Sequence, residues 1–190
     1  MRVVAGEARG LRLAAPDTTD VRPTGDRVRE ALFNALYSLD ALDGARGLDL
    51  FAGTGALGIE ALSRGASHVV FVENNPKALE ALEANLASTG FAKRATVHRG
   101  EALEVLGRLH DGTDITFLDP PYDYAEWSEL LDRVVSELVV IESDRPIEAG
   151  PEWDVLRTKR YGGTVVSIVR GRNRGRDDDL DGSSRRAQHP

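Results

Sequence analysis

The chain has 190 residues, of which 41% are hydrophobic and 29% are charged, a composition typical of a globular protein with one domain. No apolar run approaches the ~18 residues that span a membrane. Residues 1–7 lack the apolar core of a secretion signal, so we expect a cytoplasmic protein. Cysteine is absent and the four histidines are widely scattered, which excludes disulfides and thiol nucleophiles and predicts no metal site.

The net charge of -7 conceals an uneven distribution of cations. Residues 157–176 contain seven arginines and lysines and no acid, and six further arginines lie within residues 2–29. Such local patches can engage phosphates although the total charge is negative. A solvated surface explains the same composition, so charge alone leaves nucleic-acid binding open.

Three N-terminal segments come first along the chain. Residues 2–14 predict a β-hairpin, because apolar residues flank a turn-prone stretch with two glycines. Residues 16–23, bounded by prolines, indicate a loop. An apolar stripe predicts a helix over residues 26–39, with Thr24 as its cap.

From residue 47 onward, strands alternate with helices. The predicted order is strand 47–52, helix 57–63, strand 69–73, a helix that begins at Pro76 and is capped by Asn75, strand 95–98, helix 102–109, strand 114–118, helix 126–138, strand 139–141, and a hairpin formed by 153–160 and 164–170. This alternation predicts an α/β fold with a mostly parallel sheet and a C-terminal antiparallel hairpin.

The same pattern predicts the domain organisation. Residues 1–23 form a small hairpin-and-loop extension, residues 24–171 form the α/β domain, and residues 172–190 form a tail. The tail is charged and nearly free of apolar residues, so we expect it to be disordered.

A glycine-rich turn follows the first strand of the α/β domain. Residues 53–58 (GTGALG) fit the dinucleotide fingerprint G-x-G-x-x-G, and Glu73 lies where an acid that binds ribose is expected. Taken alone, the turn favours a nicotinamide cofactor about as well as S-adenosylmethionine (AdoMet).

Asp49, four residues before the first glycine, separates the two cofactors. A carboxylate there meets the positively charged methionine end of AdoMet, whereas it repels a pyrophosphate. Residues 48–55 (LDLFAGTG) also resemble the first motif of the AdoMet-dependent Rossmann-like methyltransferases. The candidate cofactor-binding residues are Asp49, Phe51, Ala52, Gly53, Thr54, Gly55, Glu73, Asn74, Glu101 and Ala102.

The fourth strand ends in Asp119-Pro120-Pro121-Tyr122, the candidate catalytic residues. The two prolines fix backbone torsions and remove two amide donors. The Asp119 carboxylate and the Pro120 carbonyl are then able to accept both hydrogens of an exocyclic amino group, and Tyr122 offers a face on which a flipped base can stack. The tetrapeptide resembles the (Asp/Asn)-Pro-Pro-(Tyr/Phe) motif of methyltransferases that modify amino groups of bases or protein glutamines.

Three longer segments, residues 2–10, 22–34 and 51–65, are similar to the RsmD family, and the resemblance extends to about residue 171. It implies transfer of a methyl group to N2 of one guanine in bacterial small-subunit (16S) ribosomal RNA. We expect the protein to be a monomer and to act on free RNA or on an assembling subunit. Two departures, Ala8 in place of a bulky aromatic and Gly25 in place of a polar residue, concern substrate contact. Four residues are expected to face the RNA: Arg9, Arg22, Thr24 and Arg27.

Other functions remain possible on the sequence. The Asp-Pro-Pro-Tyr motif serves the N6 amino group of adenine equally well, although no domain for recognising a DNA sequence is present. A catalytically inactive RNA-binding assembly factor is a third alternative, and intact acids at Asp49, Glu73 and Asp119 argue against it. A nicotinamide oxidoreductase is the weakest.

Overall fold

The computed structural model describes residues 1–15, 25–109 and 112–172. Its centre is a seven-stranded sheet in the order β3-β2-β1-β4-β5-β7-β6. The first five strands are parallel, and β7 and β6 complete the sheet as an antiparallel hairpin. The predicted Rossmann-like α/β architecture is therefore confirmed.

The strands are β1 (Arg46–Asp49), β2 (His68–Glu73), β3 (Ala95–Arg99), β4 (Thr113–Leu118), β5 (Ser136–Ser143), β6 (Trp153–Tyr161) and β7 (Thr164–Gly171). The helices are α1 (Asp26–Ser38), α2 (Ala56–Ser63), α3 (Pro76–Thr89), α4 (Ala102–Leu106) and α5 (Trp127–Arg133), with a 3₁₀ turn at Ala92–Arg94. None of the helices in the described residues is long and apolar enough to cross a membrane.

Helices cover both faces of the sheet. Side chains from α1, α2 and α3 form one apolar cluster with alternate strand residues such as Phe117 and Val140. Side chains from α4 and α5 form a second cluster with the intervening residues, including Leu118 and Val139. Because both faces of the central strands are buried, these strands are almost continuously apolar.

The start of α3 agrees with the sequence. Asn75 occupies the N-cap and its side-chain oxygen accepts hydrogen bonds from the amides of Lys77 (2.9 Å) and Ala78 (3.3 Å). Pro76 fills the first helical position, where no amide donor is needed. The start of α3 is therefore determined by residues that adjoin it in the sequence.

The predicted helix 126–138 is wrong at its C-terminal end. The helix α5 stops at Arg133, and residues 136–138 belong to β5 instead. Leu138 lies opposite Ile115 of β4, and the Ser136 hydroxyl bonds those of Thr113 and Thr116, both at 2.6 Å. Pairing along the full length of β4 lengthens β5, and the apolar spacing that suggested a helix is equally compatible with a buried strand.

The start of α1 also differs from the prediction. Gly25, not Thr24, occupies the N-cap, and it has no side chain with which to cap the helix. Thr24 lies outside the described residues, as does the predicted loop 16–23. The predicted tail lies outside them too, apart from Arg172, which donates to Asp154 at 2.8 Å.

The N-terminal segment reverses direction as predicted, although its β-structure is limited to one antiparallel bridge between Arg2 and Arg12. It is held against α2 by backbone and side-chain bonds. The Glu60 carboxylate accepts from the amides of Val4 (2.7 Å) and Ala5 (3.0 Å), and the Ser63 hydroxyl donates to the Ala5 carbonyl at 2.6 Å.

Charge neutralisation makes this contact possible inside the protein. Glu60 is 1% exposed, and two cations approach it: Arg64 at 2.7 Å and the fully buried Arg29 at 3.8 Å. Arg29 also bonds Asp26 and the Arg2 carbonyl. A buried charge needs such partners, so this network joins the segment to both α1 and α2.

Candidate active site

The predicted cofactor residues come together because β1, β2, β3 and β4 are adjacent parallel strands. Their carboxyl ends share one edge of the sheet, where open α/β sheets bind ligands. The turn after β1, Glu73 at the end of β2, and Glu101 after β3 all lie at this edge. Asp119 is there too, since it follows β4, whose Phe117 is paired with Asp49 of β1.

The three glycines of the turn have different roles. A Cβ at Gly55 or Gly58 would lie within 2.4 Å of Leu82 or within 2.3 Å of Phe71, so these glycines allow close packing of the turn and α2. Gly53 has φ +54°, and a Cβ there would meet nothing within 4 Å. Gly53 therefore leaves open space beside the backbone.

Asp49 is 1% exposed and lies beneath the turn. Its Oδ2 accepts from the Gly58 amide at 2.9 Å, while Oδ1 is buried and has no hydrogen-bond partner among the described residues. Burial, with a smaller contribution from the negative charge of Glu73, raises the pKa of Asp49 from 3.8 to about 7. An uncompensated buried carboxylate is costly, and a cationic ligand would favour its ionised form.

Glu73 is held rigidly by backbone amides. Its Oε2 accepts from Gly53 at 2.7 Å, and its Oε1 accepts from Asn74 at 2.9 Å and Asn75 at 2.8 Å. Two carboxylate oxygens offer about four acceptor positions, so capacity for a further donor remains. The carboxylate therefore connects the glycine turn to the end of β2.

The ends of β2 and β3 are linked as well. The Asn74 side-chain amide donates to Glu101 at 2.8 Å, and the Gly100 amide donates to the Glu73 carbonyl at 3.1 Å. Glu101 is exposed and Ala102 is buried as the first residue of α4. Asn74 and Glu101 thus form a polar wall at the same edge of the sheet, and the apolar Ala102 lies next to it.

An aromatic side chain that the sequence reasoning missed completes this region. The rings of Phe51 and Tyr124 meet edge-on with centroids 5.3 Å apart, and Tyr124 meets Trp127 at 5.5 Å. The Tyr124 hydroxyl is buried without a partner in the described part of the chain, and burial raises its pKa to about 12. Its position two residues after Tyr122 was the available signal.

The corner after β4 is closed and anchored. The Tyr124 amide donates to the Pro121 carbonyl at 2.9 Å, whereas no donor from the described residues reaches the Pro120 carbonyl. Tyr122 is half-buried, and its hydroxyl lies 3.0 Å from that of Thr164 on β7. Asp119 is partly exposed. The corner thus carries acceptor groups on a fixed backbone.

The proposed RNA-facing residues are only partly described. Arg9 and Arg27 are exposed, and neither has an ion-pair partner in the described ranges. Arg22 lies outside those ranges. Ala8, where an aromatic was expected, is 4% exposed and its amide bonds the Ser63 hydroxyl at 3.0 Å. This position therefore faces α2.

Asn85 connects the N-terminal segment to the glycine turn and was also missed. This buried side chain donates to the carbonyls of Ala14 (3.0 Å) and Thr54 (2.9 Å) and accepts from the Ala14 amide (2.7 Å). An asparagine on the apolar stripe of α3, beside Leu82 and Leu86, was the signal in the sequence. It joins residue 14 to the glycine turn.

The residues present fit AdoMet on two observations. The unpartnered Asp49 Oδ1 is the acceptor that a cationic methionine end requires, and Gly53 leaves open the space that a side chain would fill. Glu73 adds an acceptor suited to ribose hydroxyls. A pyrophosphate, by contrast, would approach the carboxylate of Asp49.

Comparisons with known proteins identify the family. The family model described as Conserved hypothetical protein 95 matches residues 1–170. YlbH of Bacillus subtilis, described as a candidate rRNA methyltransferase, is 40% identical over 186 residues, which cover 90% of this chain and 100% of YlbH. Ribosomal RNA small subunit methyltransferase D of Escherichia coli K12 is 33% identical, with 94% and 93% covered.

A solved structure agrees with these matches. The Escherichia coli protein yhhF, described as a candidate methyltransferase, superimposes with a TM-score of 0.80 at 32% identity, covering 90% of this chain and 97% of that chain. Residues 1–170, which the family model matches, include the strands that carry the site as well as the N-terminal segment. The chain therefore belongs to the family described as Conserved hypothetical protein 95, which is the RsmD family.

Proposed function

We propose that this protein transfers a methyl group from AdoMet to the exocyclic N2 amino group of a guanine in 16S ribosomal RNA. The observation that carries the proposal is the adjacency of β1 and β4, which sets the corner from Asp119 to Tyr122 beside the glycine turn and Asp49. The names of the relatives, which include ribosomal RNA small subunit methyltransferase D, support the RNA substrate.

Asp49, Glu73 and the wall formed by Asn74 and Glu101 would hold the cofactor. Bound there, AdoMet supplies a methyl group on a positively charged sulfur, which makes that carbon electrophilic. Asp49 in its ionised form would compensate the positive charge of the methionine end, and the remaining acceptor position of Glu73 would accept from a ribose hydroxyl. The backbone amides that hold Glu73 keep this acceptor in place without a conformational cost on binding.

Asp119 and Pro120 act on the nucleophile. The guanine amino group donates one hydrogen to the Asp119 carboxylate and the other to the Pro120 carbonyl, which directs the nitrogen lone pair toward the methyl carbon. The amino nitrogen would take the methyl group from the sulfur, S-adenosylhomocysteine would leave as a neutral thioether, and the extra proton on nitrogen would pass to the Asp119 carboxylate that already accepts its hydrogen bond. Positioning of this kind can contribute roughly 7–11 kcal/mol to lowering a barrier.

Tyr122 provides the stacking surface for the target base. Its hydroxyl contact with Thr164 fixes the ring, and stacking on an aromatic is worth ~1–3 kcal/mol per base. The base has to leave its own stack to reach the corner. The proposal places the protein in the cytoplasm, where it acts as a monomer on free RNA or on an assembling subunit.

Methyl-labelled AdoMet tests the proposal directly. The protein is incubated separately with unmodified 16S rRNA, with assembling small subunits and with duplex DNA, and the labelled nucleosides are identified after digestion. We expect N2-methylguanosine from one of the two RNA substrates. Label in N6-methyladenosine would assign the adenine reaction instead, and no label in any nucleoside would leave an assembly factor as the better explanation.

A further inference from the structure

The strand β6 forms one edge of the sheet, and it carries cationic side chains that have no part in the proposed methyl transfer. Among residues 1–15, 25–109 and 112–172, only β7 pairs with it, and all its residues from Asp154 to Arg160 are exposed. Residues 155–161 contain three cations, Arg157, Lys159 and Arg160, and no acid. None of the three makes an ion pair within the residues that the structure describes.

This cationic edge begins at the reacting corner. Tyr161 at the end of β6 lies opposite Thr164, and the Thr164 hydroxyl contacts that of Tyr122 at 3.0 Å. Arg160 donates to the carbonyl of Asp144 at 3.3 Å. The neighbouring Arg145 donates to the carbonyl of Tyr122 at 3.2 Å.

The side chains divide between two faces. Arg157, Lys159 and Tyr161 line a shallow groove against Ala31 and Ala35 of α1. Lys159 also lies over the Tyr161 ring at 5.1 Å. The groove therefore leads from the middle of β6 toward the corner.

We propose that the cationic edge formed by Arg157, Lys159 and Arg160 binds the sugar–phosphate backbone next to the target nucleotide. At about 3.3 Å per residue, these three cations span roughly 10 Å, about three nucleotides of a stacked strand at ~3.4 Å each. Phosphate contacts position a nucleic acid without reading its sequence. The edge would therefore orient the RNA while the corner selects the amino group.

Charge favours a phosphate backbone over another protein strand. Lysines and arginines on an edge strand discourage pairing with a further strand, and the register shift between Val155 and Arg157 interrupts the edge. The inference rests on the proposed RNA substrate, so the test uses a binding measurement that does not depend on methyl transfer.

The test compares two triple variants of equal charge change. One carries Arg157→Gln, Lys159→Gln and Arg160→Gln. The control carries Lys93→Gln, Arg108→Gln and Arg133→Gln. These three residues are exposed and lie near the amino ends of the parallel strands, just before β3, β4 and β5 in the chain and away from the candidate site. Dissociation constants for unmodified 16S rRNA are measured between 50 and 300 mM KCl, and the AdoMet affinity of each variant is measured as a check of the fold.

We expect the edge variant to reduce the slope of log Kd against log salt by about 2 to 3, because each phosphate contact contributes about 0.7–0.9. Its Kd for RNA should rise more than tenfold at 100 mM KCl. In the methylation assay the KM for RNA should rise while kcat stays near the wild-type value, and AdoMet affinity should be unchanged. The control should change the slope by less than 0.5.

Equal slopes in the two variants would overturn the inference even if the wild type methylates rRNA. A wild type that methylates no guanine but shows the slope difference would overturn the proposed function alone.

Discussion

At the residue scale, the buried carboxylate of Asp49 should couple the proposed binding of AdoMet to pH. Its pKa is 3.8 when exposed and about 7 in the fold. Between these two pH values the carboxyl group is protonated in the folded protein without a ligand and ionised in the unfolded chain. Stability therefore falls as pH rises from about 4 to about 7. A cationic ligand needs the ionised form, so binding works in the opposite direction and strengthens as pH rises.

We therefore predict that AdoMet affinity increases between pH 5.5 and 7 and levels off above about pH 7. If only ionised Asp49 binds, the slope approaches a factor of 10 in Kd per pH unit below that value. Isothermal titration calorimetry across this range checks the prediction, with Asp49→Asn as the comparison. The variant should bind more weakly and without the slope, and an equal slope in both proteins would show that another group titrates.

A second prediction separates the two acids assigned to different steps. Asp119→Ala should lower the turnover number at least 100-fold while the Kd of AdoMet changes less than threefold, because the proposed mechanism places Asp119 on the nucleophile. Glu73→Ala should raise the Kd of AdoMet at least tenfold, because it removes the ribose acceptor. Single-turnover methyl transfer and equilibrium binding give both quantities, and near-normal turnover in Asp119→Ala would refute the assigned mechanism.

At the element scale, the N-terminal segment depends on a contact that leaves no room for a side chain. A Cβ on Gly6 would lie 1.8 Å from the Ser63 carbonyl oxygen, whereas a Cβ on Gly10 would meet nothing within 4 Å. Both glycines have positive φ, +82° and +84°. An alanine would therefore be strained to a similar extent at either position, and the two substitutions differ in packing alone.

This pair supplies a matched test of docking. Gly10→Ala should cost about 1 kcal/mol of unfolding free energy, the usual penalty for a left-handed residue with a Cβ. Gly6→Ala should cost at least about 2 kcal/mol, since the segment has to move away from α2. Urea unfolding of the two variants measures the difference, and equal losses would mean that the contact with Ser63 is not maintained in solution.

At the scale of the whole molecule, the site joins four strands and α2, so a ligand there should stabilise the entire fold. Saturation to 100 times Kd contributes about 2.7 kcal/mol, which corresponds to a rise in Tm of roughly 5–10 °C for a protein of this size. Thermal unfolding with and without AdoMet tests this. Glu73→Ala should show a smaller shift at the same concentration, and no shift in the wild type would contradict the cofactor assignment.

The sequence by itself determined the parts that depend on local chemistry. The Asn75 cap, Pro76 and the apolar strands are local features, because capping and side-chain periodicity act within a few residues. The glycine turn and the corner at Asp119 were also recognisable from residue types and spacing. Their placement at one edge followed from the rule that parallel strands end together.

Only the tertiary structure decided where longer-range pairing overrides local pattern. The β5 strand extends back to Ser136 because it pairs with β4 from Thr113 onward, and no spacing within residues 126–138 reveals that. The bonds of Asn85 to Ala14 and Thr54 join residues that are 71 and 31 positions away, respectively. The Glu60–Arg29 network and the cationic edge beside Tyr122 depend in the same way on contacts between distant elements. Burial and charge compensation are properties of the assembled fold, so they become visible only when the chain has closed on itself.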